Sequence, residues 1–359
     1  MKKILILCPY PQNVAAGQRF KYEQYFDSWM GHGYSVEVSS FFDKKTWNIL
    51  YKQSNLFSKA FGTIKGYLLR VKYLFLLRKY HIVYIFMWVT PMGTSFFERL
   101  VRMLSKNLIY DFDDSVFLRD EVPKSMNLSL SGVTAKSRYL ISCADRVILS
   151  SPYNLKFCLE NNVNNQAVYI PCSIDTDRFK KKEQVLKDQK IVIGWTGTFS
   201  SIPYIDSVKE ALLELYQEIP FKLLLITNFD YSFPEIDLEV LRWDKESEIE
   251  DLHRIDIGIY PITLDQWSLG KGGLKVIQYM SIGIPSVATN YGTACDIIED
   301  GVNGFLVDLK EEWIDRLKKL MSDFNLQKKI GNSARRHAEE NYSIKSIESE
   351  YLRVLDSIR

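Results

Sequence analysis

The chain lacks most of what would place it in a specialised class. Among its 359 residues are five cysteines, Cys8, Cys143, Cys158, Cys172 and Cys295, odd in number, widely spaced and without a Cys-x-x-Cys pair. That usage argues against a disulfide framework or a thiolate zinc site and fits a reducing cytoplasm. Long apolar runs are missing: the richest stretch, "YLFLLRKYHIVYIFMWV", is broken by Arg78, Lys79 and His81, short of the roughly 18 residues that a membrane span needs. The start, "MKKILILCPYPQ", has neither the apolar core nor the small-residue cleavage site of a signal peptide and is expected to form a first strand. Net charge is only +2, which gives no global case for nucleic acid. The chain shows no internal repeat and no low-complexity tract. None of the four histidines, His32, His81, His253 and His337, falls in a loop that invites a catalytic role.

What is present reads as α/β. A chain of this length exceeds one ordinary hydrophobic core, so two domains are expected. Short apolar runs recur, "KILILC", "YSVEVS", "IVYIFMW", "NLIYDF", "DRVILS" and "AVYIP", then "IVIGWTG", "FKLLLIT", "LEVLRW", "DIGIYP", "PSVAT" and "GFLV". Their β-branched and aromatic content without strict alternation suits strands buried on both faces of a parallel sheet. The spacing predicts two Rossmann-like units, over residues 1–171 and 190–340. The polar stretch 172–189 is expected to link them, and a C-terminal helix over 341–359 is placed where it could cross back to the first unit. The tail from Glu311 has helical periodicity interrupted near Asn325 and Asn341. Ligands of parallel sheets collect beyond the carboxyl ends of the strands. Two such sheets facing a central cleft suit an enzyme that brings two substrates together by domain closure.

The segment Leu269–Val307, "LGKGGLKVIQYMSIGIPSVATNYGTACDIIEDGVNGFLV", is the most informative. A helix is expected from near Gly272 to Ser281, ended by Gly283. Gly270, Gly272 and Gly273 leave its first N–H groups uncovered, and Lys271 and Lys275 add positive charge at the end where the helix dipole already favours an anion. An ordinary surface helix with two solvated lysines is the competing reading.

This string, with "RIDIGIYPI" before it, resembles the donor-binding half of the GT-B glycosyltransferases, closest to the retaining family 4 group (glycosyl transferases group 1) that builds bacterial surface polysaccharides. The resemblance covers residues 190–345. Members usually carry two glutamates eight residues apart before an "xMxxGxPxV" signature, and here those positions are Gly270 and Gln278. A subgroup with Lys-x-x-Glu/Gln-Tyr-Met matches Lys275, Gln278, Tyr279 and Met280. The resemblance implies that Gln278 hydrogen-bonds the donor ribose, and it adds Leu274 to the donor-binding set. It also implies that Thr196, Gly197 and Thr198, after the first strand of the second half, approach the donor pyrophosphate. Arg242 and Trp243, in "LEVLRWDKESEIEDL", would lie at the nucleobase, and the acidic run 246–251 would be the exposed face of the next helix.

In the first half, Gly17 and Arg19 open a helix on the same side as the strand ends, where the family's glycine loop approaches the donor or acceptor. Asp111, Asp113 and Asp114 close the strand "NLIYDF". Asp113 and Asp114 are candidates for accepting an acceptor proton; one of the three would cap a helix, and no metal is assigned. From Lys44 to Tyr80 there are nine cations, among them Lys65, Arg70 and Lys72, and no acid, with apolar residues at helical spacing. Such a surface adsorbs to anionic lipid at roughly 1 kcal/mol per cation, though a solvated basic face explains the same pattern.

The expected activity is therefore transfer of a sugar from a nucleotide-diphosphate donor to a lipid-linked glycan hydroxyl, in polysaccharide, lipopolysaccharide or glycolipid assembly. It is expected to be retaining and metal-independent, with no cofactor, and peripheral on the cytoplasmic face of the cell membrane. Lys271 and Lys275 would stabilise the leaving diphosphate. Nucleic acid is not an expected partner, and a homodimer is left open. A nucleotide-sugar epimerase of the same fold and a non-catalytic nucleotide-sugar-binding subunit are the alternatives.

Overall fold

The structure is a computed structural model that describes residues 1–50, 52, 55–121, 132–183 and 190–358, with backbone only at 119–121. The chain divides into two compact units. The first holds Met1–Pro171, Gly270–Gly272 and the chain from Ile347 on; the second holds Cys172–Leu269 and Gly273–Ser346.

Each unit is built on one six-stranded parallel sheet. In the first, β1 (Lys2–Cys8), β2 (Tyr34–Ser40), β3 (Ile82–Phe86), β4 (Leu108–Phe112), β5 (Arg146–Leu149) and β6 (Ala167–Tyr169) lie in the order β2-β1-β3-β4-β5-β6. In the second, β7 (Val192–Gly197), β8 (Lys222–Thr227), β9 (Asp237–Arg242), β10 (Ile257–Tyr260), β11 (Ser286–Thr289) and β12 (Phe305–Val307) lie in the order β12-β11-β10-β7-β8-β9. The apolar runs of the central strands are covered on both faces of each sheet, while the edge strands β2, β6 and β9 are only half-buried. Ile4 to Cys8 and Ile82 to Phe86 are buried throughout, in register from Ile4↔Ile82 to Leu7↔Ile85. Ile193, Trp195, Leu223, Leu225, Ile257 and Ile259 share one core in the second unit. Every strand pair is parallel, as continuous apolar strands require. The second order reverses between β7 and β10, the switch point at which doubly wound sheets open a crevice beyond their carboxyl ends. In the first unit the corresponding reversal falls between β1 and β3.

Three sequence expectations are corrected. Residues 172–183 are packed chain and not a tether: Cys172, Ser173, Ile174 and Phe179 are buried, and Lys182 forms a buried ion pair with Asp256 at 2.6 Å. The rest of the expected linker, 184–189, lies outside the described residues. Arg70 does not belong to an exposed basic face. It is buried, donating from Nε to Val89 O (2.8 Å) and from its terminal nitrogens to Ser39 O, Ser39 Oγ and Cys8 O (2.9–3.0 Å). Helical spacing shows that Arg70 faces away from Leu68 but not that the carbonyls of Cys8, Ser39 and Val89 await it. Finally, the acidic run is not all exposed, since Glu248 is buried and accepts the Trp243 indole N–H at 3.3 Å.

The tail forms helices Lys310–Ser322, Phe324–Asn341 and Ile344–Asp356. Asp323 starts the second by accepting Leu326 N–H at 2.9 Å. From Ile347 on, the tail packs in the first unit: the Tyr351 ring lies 4.7 Å from that of Tyr25, Tyr34 Oη donates to Asp356 at 2.6 Å, and Arg146 Nε donates to Ser357 Oγ at 2.9 Å.

Candidate active site

In the second unit the site residues gather where β7 and β10 part. After β10 and a single helical turn at Gln266–Leu269, a longer helix runs from Leu274 to Ser281 and starts at Gly273, which caps it with φ +67°. A side chain there would be strained and would overlap Ile297 Cδ1, so the cap is left to glycine. The helix therefore starts slightly later than Gly272, and Gly283, at φ +73°, ends it in the expected left-handed conformation.

Lys275, in the first helical turn, holds its Nζ 4.6 Å from the centre of the buried Trp195 ring and 6.0 Å from that of Tyr260. The ring faces keep the ammonium in place. Gly197 is glycine because the same Trp195 ring fills the space where its Cβ would stand. Thr196 N–H donates to Tyr279 Oη at 3.2 Å, and Thr198 Oγ1 lies 2.9 Å from Ser200 Oγ. Tyr279 thus ties the end of β7 to the helix, with its ring over Gly258, where a Cβ would come within 2.5 Å. Its phenol is held well above the usual range by burial, so it stays a neutral hydrogen-bonding group. Sequence reasoning did not assign Tyr279 this role; the glycine inside "DIGIY" is the signal that marks it.

Gln278 is 7% exposed, and its side-chain amide makes no hydrogen bond among the described residues. The amide atoms themselves are reached by solvent, so a ligand hydroxyl would take the place of water on them. At the end of β9, Arg242 pairs with Asp230, while Trp243 is 38% exposed with its backbone N–H on Thr227 O at 2.8 Å. The Glu248 contact fixes the orientation of the half-exposed indole.

The first unit holds a separate charge cluster at the end of β4. Lys21 is fully buried, pairs with Asp111, donates to Phe112 O at 3.1 Å and lies 3.7 Å from Asp113. Tyr84 Oη also donates to Asp111. Burial pushes the Asp113 carboxyl up to about 6; the Lys21 ammonium pulls the other way, and the neighbouring Asp114 and Asp111 add to the rise. Gly17 is required here because a Cβ would overlap the Asp113 carboxylate. Arg19 is buried, its guanidinium 4.8 Å from the Phe20 ring centre. Gln18 braces the preceding loop through Tyr10 N and O, both at 3.1 Å. Lys21 was not singled out from the sequence, because its partner lies 90 residues away.

Asp114 has φ +55°, a strained setting for a non-glycine residue, and its carboxylate meets Lys271 Nζ at 3.3 Å. Gly270 and Gly272 pack close by. A Cβ on Gly270 would overlap Ser115, and one on Gly272 would come within 3.1 Å of Ser150. This conformation leaves no room for a glutamate at position 270. The sequence candidates thus fall in two groups, Gly17, Arg19, Asp113, Asp114, Gly270, Lys271 and Gly272 in the first unit, and the rest of the donor set in the second. Among the described residues no set of three His, Cys, Asp or Glu side chains is arranged to hold a metal ion, and no helix is long and apolar enough to cross a membrane.

Residues 235–337 match the family described as glycosyl transferases group 1. An uncharacterized glycosyltransferase of Methanocaldococcus jannaschii, MJ1069, is 26% identical over 284 residues, covering 72% of this chain and 70% of the relative. Among solved structures, the sucrose-phosphate synthase of Thermosynechococcus elongatus superposes with a TM-score of 0.70 at 13% identity, covering 99% of each chain. HepE of Anabaena, solved in complex with UDP-glucose, superposes with a TM-score of 0.67 at 14% identity, covering 99% of this chain and 100% of HepE. These two likenesses show the fold, which is GT-B. With the group 1 domain set in a chain of GT-B fold, this protein is a glycosyltransferase.

Proposed function

We propose that the protein transfers a sugar from a nucleotide-diphosphate donor to the hydroxyl of a lipid-linked glycan, with retention and without a metal, at the cytoplasmic face of the membrane and in the assembly of surface polysaccharide, lipopolysaccharide or glycolipid. The observation that carries the reading is the helix start at the β7–β10 switch point. Its first N–H groups and dipole favour a diphosphate there, Lys275 is held beside it on Trp195, and the unpaired Gln278 amide offers a donor and an acceptor to ribose hydroxyls. Thr196, Gly197 and Thr198 sit at the end of β7, where a pyrophosphate would lie, and Trp243 offers a half-exposed ring to a base.

As the glycosidic bond breaks, its electron pair goes to the diphosphate oxygen. Lys275, the helix N–H groups and Lys271 stabilise the growing charge. In the retaining course the leaving oxygen takes the acceptor proton on the same face. One observation favours a second reading, inversion with Asp113 as base: its carboxyl at about 6 is ionised at neutral pH and basic enough to take a proton.

Lys275→Ala, assayed with nucleotide sugars and an acceptor, should lower kcat/KM about 100-fold, or about 2.7 kcal/mol of transition-state stabilisation, with the melting temperature nearly unchanged. Unaltered turnover would remove this lysine from the mechanism. The anomeric proton of the wild-type product, read by NMR, decides between retention and inversion.

A further inference from the structure

The helix Leu56–Leu74 is amphipathic in an unusual sense, for the side turned from its unit is apolar. Phe57, Phe61, Ile64, Leu68, Val71 and, just past the helix, Phe75 are all between 41% and 93% exposed. At about 100° per residue these six fall within an arc of about 80°, so they form one straight stripe along the helix. The opposite side is the packed one. Gly62 and Gly66 let it approach Thr46 and the Phe41 ring, and Arg70 and Tyr73 are buried there. The buried Arg70 therefore anchors the helix, while the stripe is left facing solvent. Exposed contiguous apolar surface of this kind marks an interaction site.

Charge indicates what covers it. Lys65 and Lys72 are exposed and fall about 60–80° from the middle of the stripe, and Lys44, Lys45, Lys52, Arg78 and Lys79 are exposed nearby. The segment from Lys44 to Tyr80 contains no acid, and Asp43, just before it, is already paired with Lys65 at 2.7 Å. A second copy laid stripe on stripe would set these cations against one another.

We propose that this helix lies flat in the interface of an anionic bilayer, its stripe among the acyl chains and its lysines at the headgroups. The inference deepens the proposed membrane partner by naming the surface that binds it. A helix with an apolar face and cationic flanks sits partly immersed in this way, and its affinity combines apolar burial with attraction to anionic lipid. The helix becomes the depth gauge of the enzyme: it fixes how far the first unit stands from the bilayer.

The test is flotation of the full chain with phosphatidylcholine–phosphatidylglycerol vesicles and with phosphatidylcholine alone. The wild type should float with the mixed vesicles. Phe61→Ser/Ile64→Ser/Leu68→Ser should cut the bound fraction about ten-fold, and Lys65→Glu/Lys72→Glu should abolish the preference for anionic lipid. All five positions are exposed, so the melting temperature should hold; if the serine variant unfolds, Phe57→Ser/Phe75→Ser, at the ends of the stripe, takes its place. No flotation of the wild type, equal flotation of the serine variants, or a wild-type dimer in sedimentation velocity that the serines dissociate would each overturn the proposal. Flotation needs neither donor nor acceptor, so transfer to a water-soluble acceptor, measured separately, reports on the activity alone.

Discussion

Lys21 and Asp111, both buried, and the partly exposed Asp113 form a triad of charges whose balance depends on pH. Burial raises the Asp113 carboxyl from its usual value to about 6, so the folded state holds this proton more tightly than the unfolded chain does. The stability that follows is present at low pH and is lost as pH rises through about 6, the unfolded state being the first to release its proton. The difference in melting temperature between wild type and Asp113→Asn should therefore change between pH 4 and pH 6.5 and level off above, with the variant gaining relative to the wild type. A difference that stays constant over that range would show Asp113 to be an ordinary carboxylate. The residues of this triad also show the limit of reading by sequence. Asp113 and Asp114 stand out because they end a recognisable strand, whereas Lys21 sits in an unremarkable run and acquires its role only when β4 is folded beside it. Arg70 failed for the same reason: composition counts a cation, but only packing shows the carbonyls of Cys8, Ser39 and Val89 that enclose it.

Secondary elements were easier to read than their contacts. All twelve apolar runs quoted from the sequence coincide with strands or overlap them, those at the centre of each sheet being covered on both faces. The helix at Leu274 was legible from its glycines, lysines and terminal Gly283, but its start depends on a dihedral angle at Gly273 that the letters do not contain. That angle makes the element testable. Gly273→Ala places a Cβ in a left-handed conformation and against Ile297, which should cost about 1–2 kcal/mol. Because the same change disturbs the N–H groups of the first turn, affinity for nucleoside diphosphates should fall more than stability does. Chemical denaturation and calorimetric titration measure the two losses, and full affinity in a destabilised variant would separate the cap from the binding site.

The whole molecule is two sheets with a shared tail. The chain from Ile347 on belongs to the first unit although the residues before it belong to the second, and it covers Trp29 and Tyr25 with Tyr351. Deleting the chain from Ile347 should lower the melting temperature and expose the Trp29 indole to solvent, seen as a red shift in emission; an unshifted spectrum would show the tail to be dispensable to that core. Periodicity announced this helix, but nothing in the sequence says which core it completes, because its apolar face of Ile347, Tyr351, Val354 and Leu355 would suit either. Within the second unit, the ammonium resting on Trp195 has an optical consequence. Indole emission responds to nearby charge, so any anion that draws Lys275 off the ring will change the colour or intensity of the light it emits. With Trp195→Phe as the control among seven tryptophans, the enzyme carries its own gauge of occupancy, readable without label or turnover.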